Sequence, residues 1–181
     1  MKKSIVVLIL VLMATAAEAQ FSKATLQATG LTCAMCSNAI NKALQKVPFV
    51  ESVRSDIKNS AFNIVFKTGA EVDVDELRKA VEDAGFAVGG LKLTGNFSNI
   101  SVDAGGHARI GSMMFHFLGA GGQTLNGEYT VSVVDKNFIT AKQFKKIAAS
   151  EKAGCLETGT AAKCCPGDSL SPDTRVYHVM L

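Results

Sequence analysis

From Ala24 onward, apolar and polar positions follow two different periods in turn. Ala24-Thr25-Leu26-Gln27-Ala28-Thr29 alternates as a half-buried strand does, and Gly30 ends the run. The loop Leu31-Thr32-Cys33-Ala34-Met35-Cys36 then leads into a segment with Ala39, Ile40, Ala43, Leu44 and Val47 at helical spacing, closed by Pro48. Residues 50–57 and 61–67 read as two strands around a turn at Lys58-Asn59-Ser60. A second helix is signposted over 73–84, with Asp73 as N-cap, Glu76 three residues later and Gly85 past the end. Residues 86–93 supply a last strand. The order βαββαβ closes naturally as an antiparallel four-stranded sheet with both helices on one face, an α+β arrangement.

Beyond Thr94 the pattern changes. Glycines cluster at Gly105-Gly106, at residues 119–122 and at Gly127, between short apolar runs at 112–118 and 128–134. Such spacing predicts a small β-rich domain over 95–181, either a sandwich or a barrel of the OB-like kind. One helix is expected from Thr140 to about Ser150 and a terminal strand from Thr174 to Leu181. Between them, residues 154–172 are rich in Gly, Pro, Ser and Thr and read as a loop.

The first 19 residues stand apart from this pattern. Met1-Lys2-Lys3, an apolar run at 5–13 and small residues ending Ala17-Glu18-Ala19 read as a signal peptide cut after Ala19. The run is shorter than the roughly 20 residues that span a bilayer. The expected product is periplasmic or secreted, with no stable membrane insertion, its folded part divided as 20–94 and 95–181. A formal net charge of +3 for the whole chain is too weak to point to nucleic acid. No carboxylate pair, nucleophile triad or phosphate loop is evident to support a hydrolase or kinase, and the chain is not expected to be an enzyme.

The 5 cysteines carry the chemistry. In an exported chain, thiols either oxidise to disulfides or serve metal and redox work. Cys33 and Cys36 stand where a strand loop runs into a helix N-terminus, whose partial positive charge favours the thiolate. Two soft sulfurs suit copper(I) far better than magnesium or calcium, and two ligands alone leave a zinc tetrahedron incomplete. An incomplete shell lets an incoming thiolate bind before the first ones leave. Cys155, Cys164 and Cys165 share the loop-like segment. Either Cys155 bridges to Cys164 or Cys165, or these cysteines form a second soft-metal site with His107, His116, His178 or the pair Met113-Met114.

Gly30-Leu31-Thr32-Cys33-Ala34-Met35-Cys36, together with Glu82-Asp83-Ala84-Gly85-Phe86 after the second helix, resembles the heavy-metal-associated domain family. That family comprises copper chaperones, N-terminal modules of copper-exporting ATPases and periplasmic mercury-binding proteins. The resemblance covers residues 22–94. It implies a ferredoxin-like fold and metal binding by Cys33 and Cys36. The family usually has methionine where Leu31 stands, an inward position at which leucine is a near-isostere. Phe86 occupies the place where some relatives carry lysine or tyrosine near the metal, and is expected to shield the site.

The expected function is capture or relay of copper(I) by thiolate exchange, with a metal-transport ATPase or another metal-handling protein as partner. Mercury(II) and zinc(II) are the alternative ions. A thiol-disulfide oxidoreductase or metal reductase, using Cys33-Cys36 with the later cysteines as resolving thiols, is the alternative from another class.

Overall fold

The computed structural model describes residues 20–31, 34–151, 154–161 and 171–181. The expected signal peptide, Cys33, Cys164 and Cys165 lie outside the described residues.

Four strands and two helices build the first half: β1 (Gln20–Thr29), α1 (Ala34–Gln45), β2 (Val50–Asp56), β3 (Ala61–Phe66), α2 (Val74–Asp83) and β4 (Ala87–Ser101). Their order in the sheet is β2-β3-β1-β4, all neighbours antiparallel, as the βαββαβ pattern predicts. The alternation of β1 puts Ala24, Leu26 and Ala28 inside, and β3 adds Phe62, Ile64 and Phe66. Ile40 and Leu44 from α1 and Leu77 and Val81 from α2 complete this core. Asp73 caps α2 by accepting from the Asp75 and Glu76 backbone N–H groups at 2.8 and 3.4 Å.

The second half comprises β5 (His107–Ile110), β6 (Met113–Phe117), β7 (Thr124–Val133), α3 (Ala141–Ser150), α4 (Cys155–Thr158) and β8 (Val176–Met180). α3 opens with a capping box between Thr140 and Gln143. These strands do not make the separate barrel or sandwich that was expected. β4 runs straight through the expected boundary at Thr94 and pairs with β7 from Leu91 to Ser101. One eight-stranded sheet results, ordered β2-β3-β1-β4-β7-β8-β6-β5. The physical cause lies in β4 itself. Leu91, Leu93, Gly95 and Phe97 keep one buried face across the boundary, so the strand has an apolar reason to continue. The sheet curls enough for Phe21 of β1 to meet Phe115 of β6, with ring centroids 5.4 Å apart. A single hydrophobic cluster therefore serves both halves.

α2 is also tied to the second half by charge. Arg175, just before β8, donates to Asp75 of α2 at 3.0 Å and to Asp135 at 3.1 Å. Tyr177 donates its hydroxyl to Asp75, also at 3.0 Å. Among the described residues, no helix is long and apolar enough to cross a membrane.

Candidate functional site

The strand-to-helix loop that follows β1 delivers the first candidate group. Cys36 lies in the first turn of α1 and is half-buried, while Ser37 beside it faces the core. That turn carries no acidic residue, so nothing in it opposes a thiolate. Met35 is 82% exposed, on the solvent side and not packed. Leu31 and Phe86 are both partly buried against the main core, so the leucine fills the inward position expected of it. The structure thus places one half of the expected Cys33-Cys36 pair at the start of the expected helix.

A second group arises from strand register. β5 pairs with β6 so that His107 faces His116, and β6 pairs in parallel with β8 so that His116 faces His178. The three imidazoles form a file across the sheet, with ring centroids 4.5 Å apart for the first pair and 5.2 Å for the second. Gly106 lets the chain enter β5 at this spacing. Its φ is +85°, and a Cβ there would come within 2.7 Å of the Phe117 carbonyl oxygen and 3.1 Å of the His116 ring.

α4 sets Cys155 against the inner end of this file. Its Sγ lies 3.0 Å from Nε2 of His178 and 3.9 Å from Nδ1 of His116. The three potential donor atoms all fall within 4.8 Å of one another. Cys155 and His178 are fully buried. Asp135, 2% exposed, accepts from His178 Nδ1 at 2.6 Å, and its carboxylate is held in turn by the His178 backbone N–H and by Arg175. A proton on Nδ1 leaves the Nε2 lone pair directed at the sulfur. Burial, followed by the neighbouring His107 and His178, pushes the His116 imidazole down to about 4, so it is neutral and able to act as a ligand at neutral pH.

Cys155 is disulfide-bonded, and the other half of that bond lies outside the described residues. Of the sites expected for the later cysteines, then, the structure brings Cys155 together with His116 and His178. His107 joins through its ring contact with His116. Met114 does not take part as a core-facing ligand would: it packs with Ala161 and Val176, and Met113 lies against the main core. Asp135 was not anticipated from sequence. Its one signal is a lone carboxylate directly after Val133-Val134, where a buried charge demands partners.

Comparison with known proteins bears on the first group. The heavy-metal-associated domain family matches residues 25–87, and this segment of the chain is such a domain. The "Probable copper-transporting ATPase HMA5" of Arabidopsis thaliana is 35% identical over 65 residues, which is 36% of this chain and 6% of the ATPase. This chain thus spans only a small part of that relative's length. Among solved structures, the "CopZ metallochaperone" is 27% identical, covering 37% of this chain and 98% of that one, with a TM-score of 0.34. Oxidized MerP from Ralstonia metallidurans CH34 is 31% identical, covering 38% of this chain and 97% of that one, with a TM-score of 0.35.

Proposed function

We propose that this chain is an exported carrier of copper(I), which it captures or relays by thiolate exchange at Cys33 and Cys36, without being an enzyme. The observation that carries this reading is the heavy-metal-associated domain at residues 25–87, with Cys36 in the first turn of α1. A copper-transporting ATPase among its relatives supports copper as the cargo. The same relationship supports a metal-transport ATPase or another metal-handling protein as the partner.

The mechanism follows from incomplete coordination. Two thiolates hold copper(I) without saturating it, so a partner's thiolate can attack the ion before either bond breaks. Cys36, nearer the positive end of the helix, is the better-stabilised thiolate, and Cys33 is the entry ligand. Met35, exposed next to Cys36, offers a partner a polarisable apolar contact.

Titration of the reduced protein with copper(I) against a competing chelator tests the proposal. Binding should be lost from this site in Cys33→Ser and in Cys36→Ser. Alkylation of Cys33 faster than Cys36 is the expected order of reactivity. Preferential retention of mercury(II) or zinc(II) over copper(I) in direct competition would overturn the choice of ion. Catalytic turnover in an insulin-reduction assay would overturn the carrier reading in favour of an oxidoreductase.

A further inference from the structure

We infer that His116, His178 and Cys155 form a second copper(I) site, independent of Cys33 and Cys36 and opened by reduction of the Cys155 disulfide. The argument begins with donor spacing. An ion bonded at about 2.3 Å to sulfur and about 2.0 Å to nitrogen sets sulfur-to-nitrogen separations of roughly 3.5–3.7 Å at tetrahedral to trigonal angles. The observed separations of 3.0 and 3.9 Å bracket that range, so small rotations of the side chains suffice. Two imidazoles and one thiolate form a borderline-to-soft donor set that suits copper(I).

The surroundings are built as a ligand's surroundings must be. Asp135 fixes the His178 ring through Nδ1 and directs Nε2 inward, the usual carboxylate–imidazole–metal relay. Arg175 holds that carboxylate from its other oxygen. The file register fixes His116 from both sides, since its ring lies against His107 and His178. Asp135 is a positioning residue here, acting through His178.

Redox state controls access. In the disulfide, the Cys155 sulfur is bonded to sulfur and carries no thiolate charge. A dithiol reductant transfers two electrons and two protons to this bond, is itself oxidised to a disulfide, and leaves two thiols. Copper(I) then displaces the Cys155 thiol proton to solvent and bonds to the sulfur and both imidazoles. A small-molecule disulfide that takes back the two electrons re-forms the Cys155 bond, is itself reduced to a dithiol with protons from solvent and the partner thiol, and releases the ion.

The test uses the full chain carrying Cys33→Ser and Cys36→Ser, which removes the first site and separates the two readings. After reduction by a dithiol and its anaerobic removal, this variant should bind one equivalent of copper(I) against a competing chelator, while the unreduced variant should not. Adding His116→Gln, at a half-buried position, should weaken binding by at least about 10-fold, the lower end of what loss of supporting groups alone costs a metal site. Adding Cys155→Ser should do the same, with circular dichroism confirming that both variants fold. X-ray absorption at the copper edge should show one sulfur and two nitrogen ligands. Sulfur-only coordination, retention of full affinity in both added variants, or equal binding before and after reduction would each overturn the inference. Binding of zinc(II) with no binding of copper(I) would overturn it as well.

Discussion

Replacing Arg175 by Met removes one guanidinium that is shared by four acceptors while keeping most of the apolar stem. Its Nε bonds Asp75 at 3.0 Å, Nη2 bonds Asp135 at 3.1 Å, and Nη1 bonds the carbonyls of Gly159 and Val176 at 3.1 and 2.7 Å. The guanidinium carbon also lies 4.1 Å from the centre of the Tyr177 ring. These contacts are not equal. Asp75 is about a third exposed, so water replaces much of that pair, and its loss costs about 0.5–1 kcal/mol. Asp135 is buried and, among the described residues, keeps only His178 as a side-chain partner, so this loss costs about 1.5–3 kcal/mol. The ring contact adds about 0.5 kcal/mol at this exposure. The expected destabilisation from these three contacts is therefore about 2.5–4.5 kcal/mol, which lowers the melting temperature of a chain of this size by roughly 5–18 °C. Urea unfolding at pH 7 measures it, with an unchanged denaturant slope as the sign of an unchanged fold. A double-mutant cycle with Asp75→Asn should return a coupling of about 0.5–1 kcal/mol. A loss under about 1 kcal/mol, or no coupling, would refute the claim that this arginine joins α2 to β8.

Acid should expose the same junction. Burial raises the Asp75 carboxyl, but the hydrogen bond and charge of Arg175 outweigh it and hold the group below its ordinary value. Its folded pKa thus lies under its unfolded one, so the stabilisation is complete above the unfolded value of about 3.9 and disappears as pH falls through the folded value. Unfolding midpoints measured from pH 5 down to pH 2 should fall, and Asp75→Asn should flatten that fall. Phe21→Ala deletes an edge-to-face contact with both Phe97 and Phe115 from a buried position. It should cost about 3–5 kcal/mol, and fluorescence and circular dichroism should still report one coincident transition if the halves share a core. Gly106→Ala forces a side chain into a positive-φ position against the Phe117 carbonyl. A loss of more than about 1 kcal/mol is expected, with displaced His107 and His116 ring resonances by NMR.

The first half was legible because each element announces itself locally. Asp73 caps α2, Pro48 follows α1, and the strands alternate, so four strands and two helices could be placed before their pairing was known. The length of β4 was partly legible and misjudged. The expected strand stops at residue 93, yet Gly95 beyond it is buried where a Cβ would come within 2.7 Å of the Gln20 carbonyl oxygen, so it marks close strand packing. The apolar positions on either side of it keep the strand's two-residue period. The file of histidines was legible only as three separate residues. His116 and His178 meet through a parallel pairing of β6 with β8, a contact far apart in sequence whose register no local pattern specifies. Asp135 gains its meaning only from that same register.

Register also places the two candidate sites relative to each other. Thr29, the last residue of β1, pairs with Ala87 at the start of β4, so the chain leaves the sheet at that end on its way to Cys36 in α1. Leu91 of β4 pairs with Val133 at the end of β7, and Val133 pairs with Val179 of β8. His178, Asp135 and the Cys155 sulfur therefore gather toward the end of the sheet at which β1 runs on to α1. The continuous β4 and the Arg175 bridge to α2 fix this arrangement, since moving one half against the other would break ladder hydrogen bonds and leave Asp135 buried without its cation. A tethered metal-binding module can swing toward its partner, whereas this domain is welded to a second half. The proposed exchange of the metal then calls for a partner that approaches the common end, where Met35 stands exposed beside Cys36.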